Sequence, residues 1–167
     1  MITLRELIPS DLDRLVSLAN NEDVSRYLLY TFPYPYTKAD GEWWINTGSK
    51  QHGATTRVIE YRGEFSGLVG ITSQSGWRDH LGEIGYWVGT EYWGKGIETS
   101  ALQQMTDYGF AGLQLRKLYA PVLAPNVASM RVLAKCGYLL EGVLKSEVKK
   151  NGRYFDIHRF AKVQAPA

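Results

Sequence analysis

A mixed α/β domain is what this chain of 167 residues predicts, on three observations. Residues 83–88 alternate, with Ile84, Tyr86 and Val88 on one side and Glu83, Gly85 and Trp87 on the other, as in a strand within a packed sheet. A turn holding Gly94 and Gly96 follows, and then Ile97, Ala101, Met105 and Tyr108 recur about one helical turn apart, so this stretch reads strand, glycine loop, helix. Further on, residues 138–149 and 153–163 flank Asn151-Gly152, the dipeptide preferred by a type I′ hairpin turn.

The other elements follow in chain order. Residues 3–7 alternate as a short strand. After Pro9-Ser10-Asp11, the positions Leu12, Leu15, Val16 and Ala19 form one face of a helix, for which Ser10 is the expected cap. Residues 24–29 suggest further helical turns, and the prolines hold 31–36 extended. Thr37 and Asp40 make a capping pair for a helix carrying Trp43, Trp44 and Ile45. The aromatics crowded here serve either as packing or as the wall of a substrate cleft. Residues 54–60 and 65–73 read as strands joined by the turn Tyr61-Arg62-Gly63-Glu64. Residues 117–123 alternate again, and Pro121 within them implies an edge, a bulge or a strand parting from its neighbour. Pro125 and Asn126 then open a helix that Gly137 stops.

Length suits one domain, 1–167, with a substantial core, and no repeat, low-complexity tract or linker divides it. A formal net charge of +2 is too small to make nucleic acid the expected partner. No apolar run has membrane-spanning length, the amino terminus lacks a signal-peptide pattern, and Cys136 stands alone, so a cytoplasmic protein without an internal disulfide is expected. Cys136 reads as a small buried hydrophobe. His52, His80 and His158 read as solvated, and no spacing of His, Cys and carboxylates suggests a metal.

The glycine loop carries the chemistry. The first amides of a helix lack partners and sit at the positive end of its dipole, Gly94 and Gly96 permit close approach, and Lys95 adds a cation. Phosphate or pyrophosphate is the natural guest, although many such glycines only allow a turn. Neither Gly-x-Gly-x-x-Gly nor Gly-x-x-x-x-Gly-Lys-Ser/Thr occurs, which counts against a nucleotide-binding module.

Trp93-Gly94-Lys95-Gly96-Ile97-Glu98 resembles the Gln/Arg-x-x-Gly-x-Gly/Ala signature of the GNAT superfamily of acyl-CoA-dependent N-acetyltransferases. Together with Gly85-Tyr86-Trp87-Val88 before it, the wording is most similar to the Rim-type branch, which acetylates ribosomal-protein N termini. Asn126-Val127-Ala128-Ser129, then Lys135-Cys136-Gly137-Tyr138 and Glu141-Gly142, resemble a second, independent motif series of that branch in the correct order. The sequence departs from the superfamily pattern at Trp93, at Glu98 where a small residue is usual, and at Leu133 where many members place a Tyr.

The resemblance implies a mostly antiparallel mixed sheet of seven strands, splayed at its centre and flanked by about four helices. It implies acetyl-CoA as cosubstrate, held around Tyr86, Trp87, Val88, Trp93, Gly94, Lys95, Gly96, Ile97, Glu98 and Thr99, with Asn126 and Ser129 along the pantetheine arm. It also gives Pro121 a reason, since the arm lies between the splayed strands, and it places the first helices over the acceptor site.

Acetyl transfer to an amine needs a base for the ammonium proton, a donor for the developing oxyanion and an acid for the departing thiolate. Glu83 is the candidate base, or else an exposed strand-end carboxylate, and Glu147 is a second carboxylate expected near the cleft. A backbone amide near Val88 is the expected oxyanion donor. Ser129 takes the acid's role by resemblance to the Rim-type branch, or else only caps its helix or orients the pantetheine. A Glu98 carboxylate about 6 Å from a phosphate would cost on the order of 1 kcal/mol at an effective dielectric of about 40, whereas one pointing to solvent would stabilise the first helical turn. The function expected is direct acetyl transfer to a primary amine, first a protein or peptide α-amine, with an amino sugar, polyamine, amino acid or antibiotic amine as the alternative. A non-catalytic acyl-CoA-binding regulatory domain is the reading from another class, and a monomer or homodimer is expected.

Overall fold

The computed structural model describes residues 1–28 and 32–166. Seven strands, β1 (Ile2–Arg5), β2 (Ala54–Tyr61), β3 (Glu64–Ser73), β4 (Leu81–Val88), β5 (Lys117–Leu123), β6 (Leu139–Lys150) and β7 (Arg153–Val163), form one sheet in the order β1-β2-β3-β4-β5-β7-β6. All neighbours are antiparallel except β4 and β5, which run parallel at the centre. Among the described residues, five α-helices accompany the sheet: α1 (Leu12–Ala19), the single turn α2 (Glu22–Ser25), α3 (Lys38–Asn46), α4 (Ile97–Ala111) and α5 (Val127–Lys135). The mixed sheet and the four longer helices agree with the sequence expectation. Leu29 and Thr31, at the ends of the expected helical and extended stretches, lie outside the described residues.

Local signals produce these elements with one correction. Thr37 and Asp40 cap α3 reciprocally: the Asp40 amide donates to Thr37 Oγ1 at 3.2 Å and the Thr37 amide to Asp40 Oδ2 at 2.8 Å. Both hairpin turns, Arg62-Gly63 and Asn151-Gly152, hold two successive positive φ angles, as a type I′ turn requires. Ser10, expected to cap α1, makes no cap hydrogen bond. The chain enters α1 through a 3-10 turn over Pro9–Asp11, and it is the buried Asp11 carboxylate that ties back to the Ile8 amide at 2.9 Å. Arg5 grips that carboxylate at 2.9 and 3.0 Å, because a buried charge requires a paired one.

The core fills both faces of β2 to β4. Alternating side chains send Val69, Ile71 and Ile84 into one apolar body that also holds Leu15 of α1 and Leu102 and Met105 of α4. Helix α4 lies close on its face of the sheet, since a Cβ at Gly109 would come within 2.9 Å of Ile71 and 3.0 Å of Leu118. Helices α1 and α3 cover the opposite face near β3. Cys136 is buried as expected, its thiol 3.4 Å from the Thr99 carbonyl oxygen.

Candidate active site

The site begins where the sheet comes apart. Strands β4 and β5 pair only through Leu81↔Lys117, Gly82↔Leu118 and Glu83↔Tyr119. Beyond that point β4 continues on β3 as far as Val88, and β5 on β7 as far as Leu123, so a wedge opens between them. Register shows what faces the wedge. The Gly89 amide bonds to Ser66 and the Gln74 amide to Leu81, so the odd-numbered residues of β4 are hydrogen-bonded to β3. The amides of Ile84, Tyr86 and Val88 therefore point at the gap. By the same alternation, Gln164 bonding to Arg116 and Ala124 to Asp156 assign the even residues of β5 to β7, and Pro121 presents its missing N–H to the gap. The parting of strands expected at Pro121 is what is observed.

On one side the wedge meets the loop that precedes α4. Gly94 and Gly96 both have φ of +73°, a left-handed conformation that glycine adopts freely, and a Cβ at either would meet nothing within 4 Å. Gly96 is the N-cap of α4 and supplies no side-chain cap, which leaves the amides of Ile97, Glu98 and Thr99 open to an anion. Trp93 donates from its indole nitrogen to the Val88 carbonyl oxygen at 3.0 Å, tying the loop to the end of β4. The Lys95 ammonium lies 5.7 Å from the Tyr92 ring centroid, at the exposed surface of the loop. Of the two placements weighed for Glu98, full exposure to solvent is not met. It is half-buried in the first turn of α4 near the Tyr86 hydroxyl, and burial raises its pKa. A carboxyl so placed carries less charge towards an anion than a solvated one.

Across the wedge stands α5. Asn126 Oδ1 accepts the Ser129 amide at 3.3 Å and is the cap of this helix, so Ser129 is not. The Ser129 hydroxyl instead lies 2.8 Å from the Tyr86 hydroxyl, which is also 3.3 Å from the Ser129 carbonyl oxygen. Burial pushes the Tyr86 phenol well above its ordinary range, so it stays protonated and can donate. Sequence reasoning named both residues and missed their pairing; Tyr86 falls on the same side of β4 as Ile84 and Val88, which is the only signal it gave. Leu133 is wholly buried and contributes packing alone.

On the other face of the sheet, Glu83 stands at the last paired position before the wedge. It is half-buried, and burial raises its pKa against the opposing pull of Arg159. A cavity of about 570 Å³ runs from Glu83 through the wedge to Asn126 and Ser129. Its outer wall is aromatic: Phe32, Tyr36, Trp43 and Trp44 from the α1–α3 region, and Trp87 from β4. The Phe32 ring meets Trp87 at 5.8 Å and Tyr36 at 5.3 Å, and burial pushes the Tyr36 phenol up to about 12. Trp87 sends its side chain to this face with Glu83, as the alternation predicts. Glu147 is corrected, since it lies exposed in the β6 bulge and does not line the cavity. His52 is exposed, as expected, and also lines the cavity.

A family model described as an acetyltransferase (GNAT) domain matches residues 1–139. The chain belongs to the GNAT acetyltransferases. Spermidine N(1)-acetyltransferase of Escherichia coli is 34% identical over 92% of this chain and 81% of its own. Among solved structures, spermidine N-acetyltransferase from Vibrio cholerae in complex with CoA and spermine superposes with a TM-score of 0.84 at 28% identity, covering 98% of this chain and 95% of that one. Mycobacterium smegmatis RimJ in complex with CoA-disulfide gives 0.87 at 27% identity, over 97% and 81%. An N-acetyltransferase fold and enzyme class are thus established for the chain.

Proposed function

We propose that this GNAT enzyme transfers an acetyl group from acetyl-CoA directly to a primary amine, with Glu83 as the base. The observation that carries the reading is the placement of Glu83, half-buried at the mouth of the wedge where the acceptor cavity and the gap between strands meet. The open amides of Ile97, Glu98 and Thr99 with Gly94, Lys95 and Gly96 suit a pyrophosphate, and the gap-facing amides of β4 with Asn126 suit the amides of a pantetheine arm. Bound there, acetyl-CoA supplies the activated acyl group.

The chain's own residues supply the rest. An amine at neutral pH is mostly protonated, and Glu83, its pKa raised by burial, is better matched to accept that proton than a solvated carboxylate. The Val88 amide, aimed into the gap by register, stabilises negative charge on the carbonyl oxygen. Ser129, held by Tyr86, offers the hydroxyl proton to the leaving thiolate. The Rim-type relatives direct attention to a protein or peptide α-amine, and the spermidine acetyltransferases to a polyamine. Both place the same demand on Glu83 and differ in what the cleft lining must accept.

Direct transfer is tested by incubating the protein with acetyl-labelled acetyl-CoA in the presence and absence of an amine. The expected result is thiol release only with amine, with the label found in N-acetyl product and none on the protein. Label retained on the protein without amine would mean a covalent intermediate and would overturn the proposal.

A further inference from the structure

Gly70 of β3 and Gly85 of β4 face each other in register, and both line the cavity. They lie between the pair Thr72↔Glu83 and the pair Leu68↔Trp87, on the same face of the sheet. A Cβ at Gly85 would meet nothing within 4 Å, and one at Gly70 would press on the Thr55 carbonyl oxygen of β2 at 3.3 Å. Two bare peptide units therefore make a flat floor beside Glu83. Trp87 bounds the floor within its own strand with Phe32 against it, and Tyr36, Trp43 and Trp44 line the same cavity.

Charge is distributed just as narrowly. No lysine or arginine lines the cavity among the described residues, and Leu29, Tyr30 and Thr31 have uncharged side chains. Its carboxylates are Glu83 and Asp40. Asp40 is occupied as a cap, since Oδ2 accepts from both the amide and the hydroxyl of Thr37 at 2.8 Å. Glu83 accepts no hydrogen bond among the described residues and is the one carboxylate free to take a proton from a guest.

Resting on the transfer reading above, we infer that the acceptor is a small monoamine with a flat aromatic body, of the 2-arylethylamine class, lying on the Gly70–Gly85 floor with its amine at Glu83. A planar hydrocarbon body satisfies the apolar walls, and the rings attract a single ammonium on its way to the base. An acceptor carrying a carboxylate finds no lysine or arginine in the cavity lining, the nearby Arg159 being already paired with Glu141, and burying that charge unpaired is costly. A polyamine's remaining ammonium groups would lose water with no second free carboxylate in the cavity to receive them.

The test compares 2-phenylethylamine with phenylalanine, which adds only a carboxylate, with spermidine, and with a short peptide bearing a free α-amine, following thiol release from acetyl-CoA. The expected kcat/KM for 2-phenylethylamine exceeds each of the others by about tenfold or more, the discrimination a site reaches when one partner leaves a buried charge unmatched. Spermidine, phenylalanine or the peptide used equally well or better would overturn the inference. Gly85→Val fills the floor with a residue that strands accept, and is expected to lower kcat/KM for 2-phenylethylamine by about tenfold while leaving the acetyl-CoA dissociation constant and Tm unchanged. Unchanged kcat/KM in that variant would remove the floor. Thiol release with none of these amines, in protein that binds acetyl-CoA, would bring down the transfer reading itself, an outcome distinct from a wrong choice of amine.

Discussion

The two halves of the sheet are built to different standards. Strands β1 to β4 are clamped between helices, and Val58, Ile59, Val69, Ile71 and Ile84 retain 2% or less of their accessible surface. In the other half, β6 is exposed over residues 139–147, and Leu139, Leu140, Val143 and Leu144 stand open. The seam between the halves is the short parallel pairing of β4 with β5. The strand that bears Glu83 and the gap-facing amides lies in the packed interior, β5 and β7 are likewise buried at Leu118, Leu123 and Ile157, and only β6 at the far edge is loosely covered, so the proposed site stands on rigid support.

The sharpest way to break this contrast is Glu83→Gln. Removing a general base is expected to lower kcat/KM by about 10²- to 10³-fold. Because burial raises the Glu83 pKa, the wild-type rate climbs with pH at values above the ordinary glutamate range, as the carboxylate forms. A pH–rate profile of the variant lacks that limb; if the limb persists, the base lies elsewhere.

Arg5→Met attacks the packed half's stability. It leaves the buried Asp11 carboxylate without its ion partner, at a cost of about 2 kcal/mol readable in chemical denaturation. Burial alone would raise the Asp11 pKa, but Arg5 and the Ile8 amide hold it below the usual value. That stabilisation is present above the ordinary aspartate range and fades as pH falls, so the gap between wild type and variant narrows in acid. A constant gap would show that packing by the arginine stem, not charge, is responsible.

Gly96→Val forces a branched side chain into positive φ at the head of α4. Strain of about 1–2 kcal/mol is expected to weaken acetyl-CoA binding about tenfold in calorimetry, with the acceptor KM unaffected.

The smallest effect is expected where the halves touch a second time. Lys150, at the tip of the β6–β7 hairpin, donates to the carbonyl oxygens of Ser25 and Leu28 at 2.5 and 2.6 Å, next to the acceptor wall. Lys150→Met is expected to raise the acceptor KM about fivefold, as for the loss of hydrogen bonds worth about 1 kcal/mol, and to leave acetyl-CoA affinity alone. An equal change in both would make the tie a general brace.

Most of the frame was legible in the sequence because its signals are local. Alternation marked β4, Asn151-Gly152 marked the last hairpin, and Thr37 with Asp40 marked α3. Pro121 announced the parting of strands, since a missing donor is a property of one residue. What escaped depends on which residues meet across the fold. Ser129 and Tyr86 are 43 positions apart, and only the meeting of α5 with β4 pairs them. The partial burial of Glu98 and the distance of Glu147 from the cavity likewise follow from how distant elements pack. Gly70 and Gly85 become a floor only through strand register.

Pro121 also shapes how the molecule comes into being. A backbone donor at that position would offer β4 the next rung of the ladder, and a newly synthesised chain could close the seam like a zipper before meeting any ligand. With proline there, that rung is absent from the covalent structure. The slot is therefore inherited by every folded copy, and none of the binding free energy of an incoming thioester is diverted to prying strands apart.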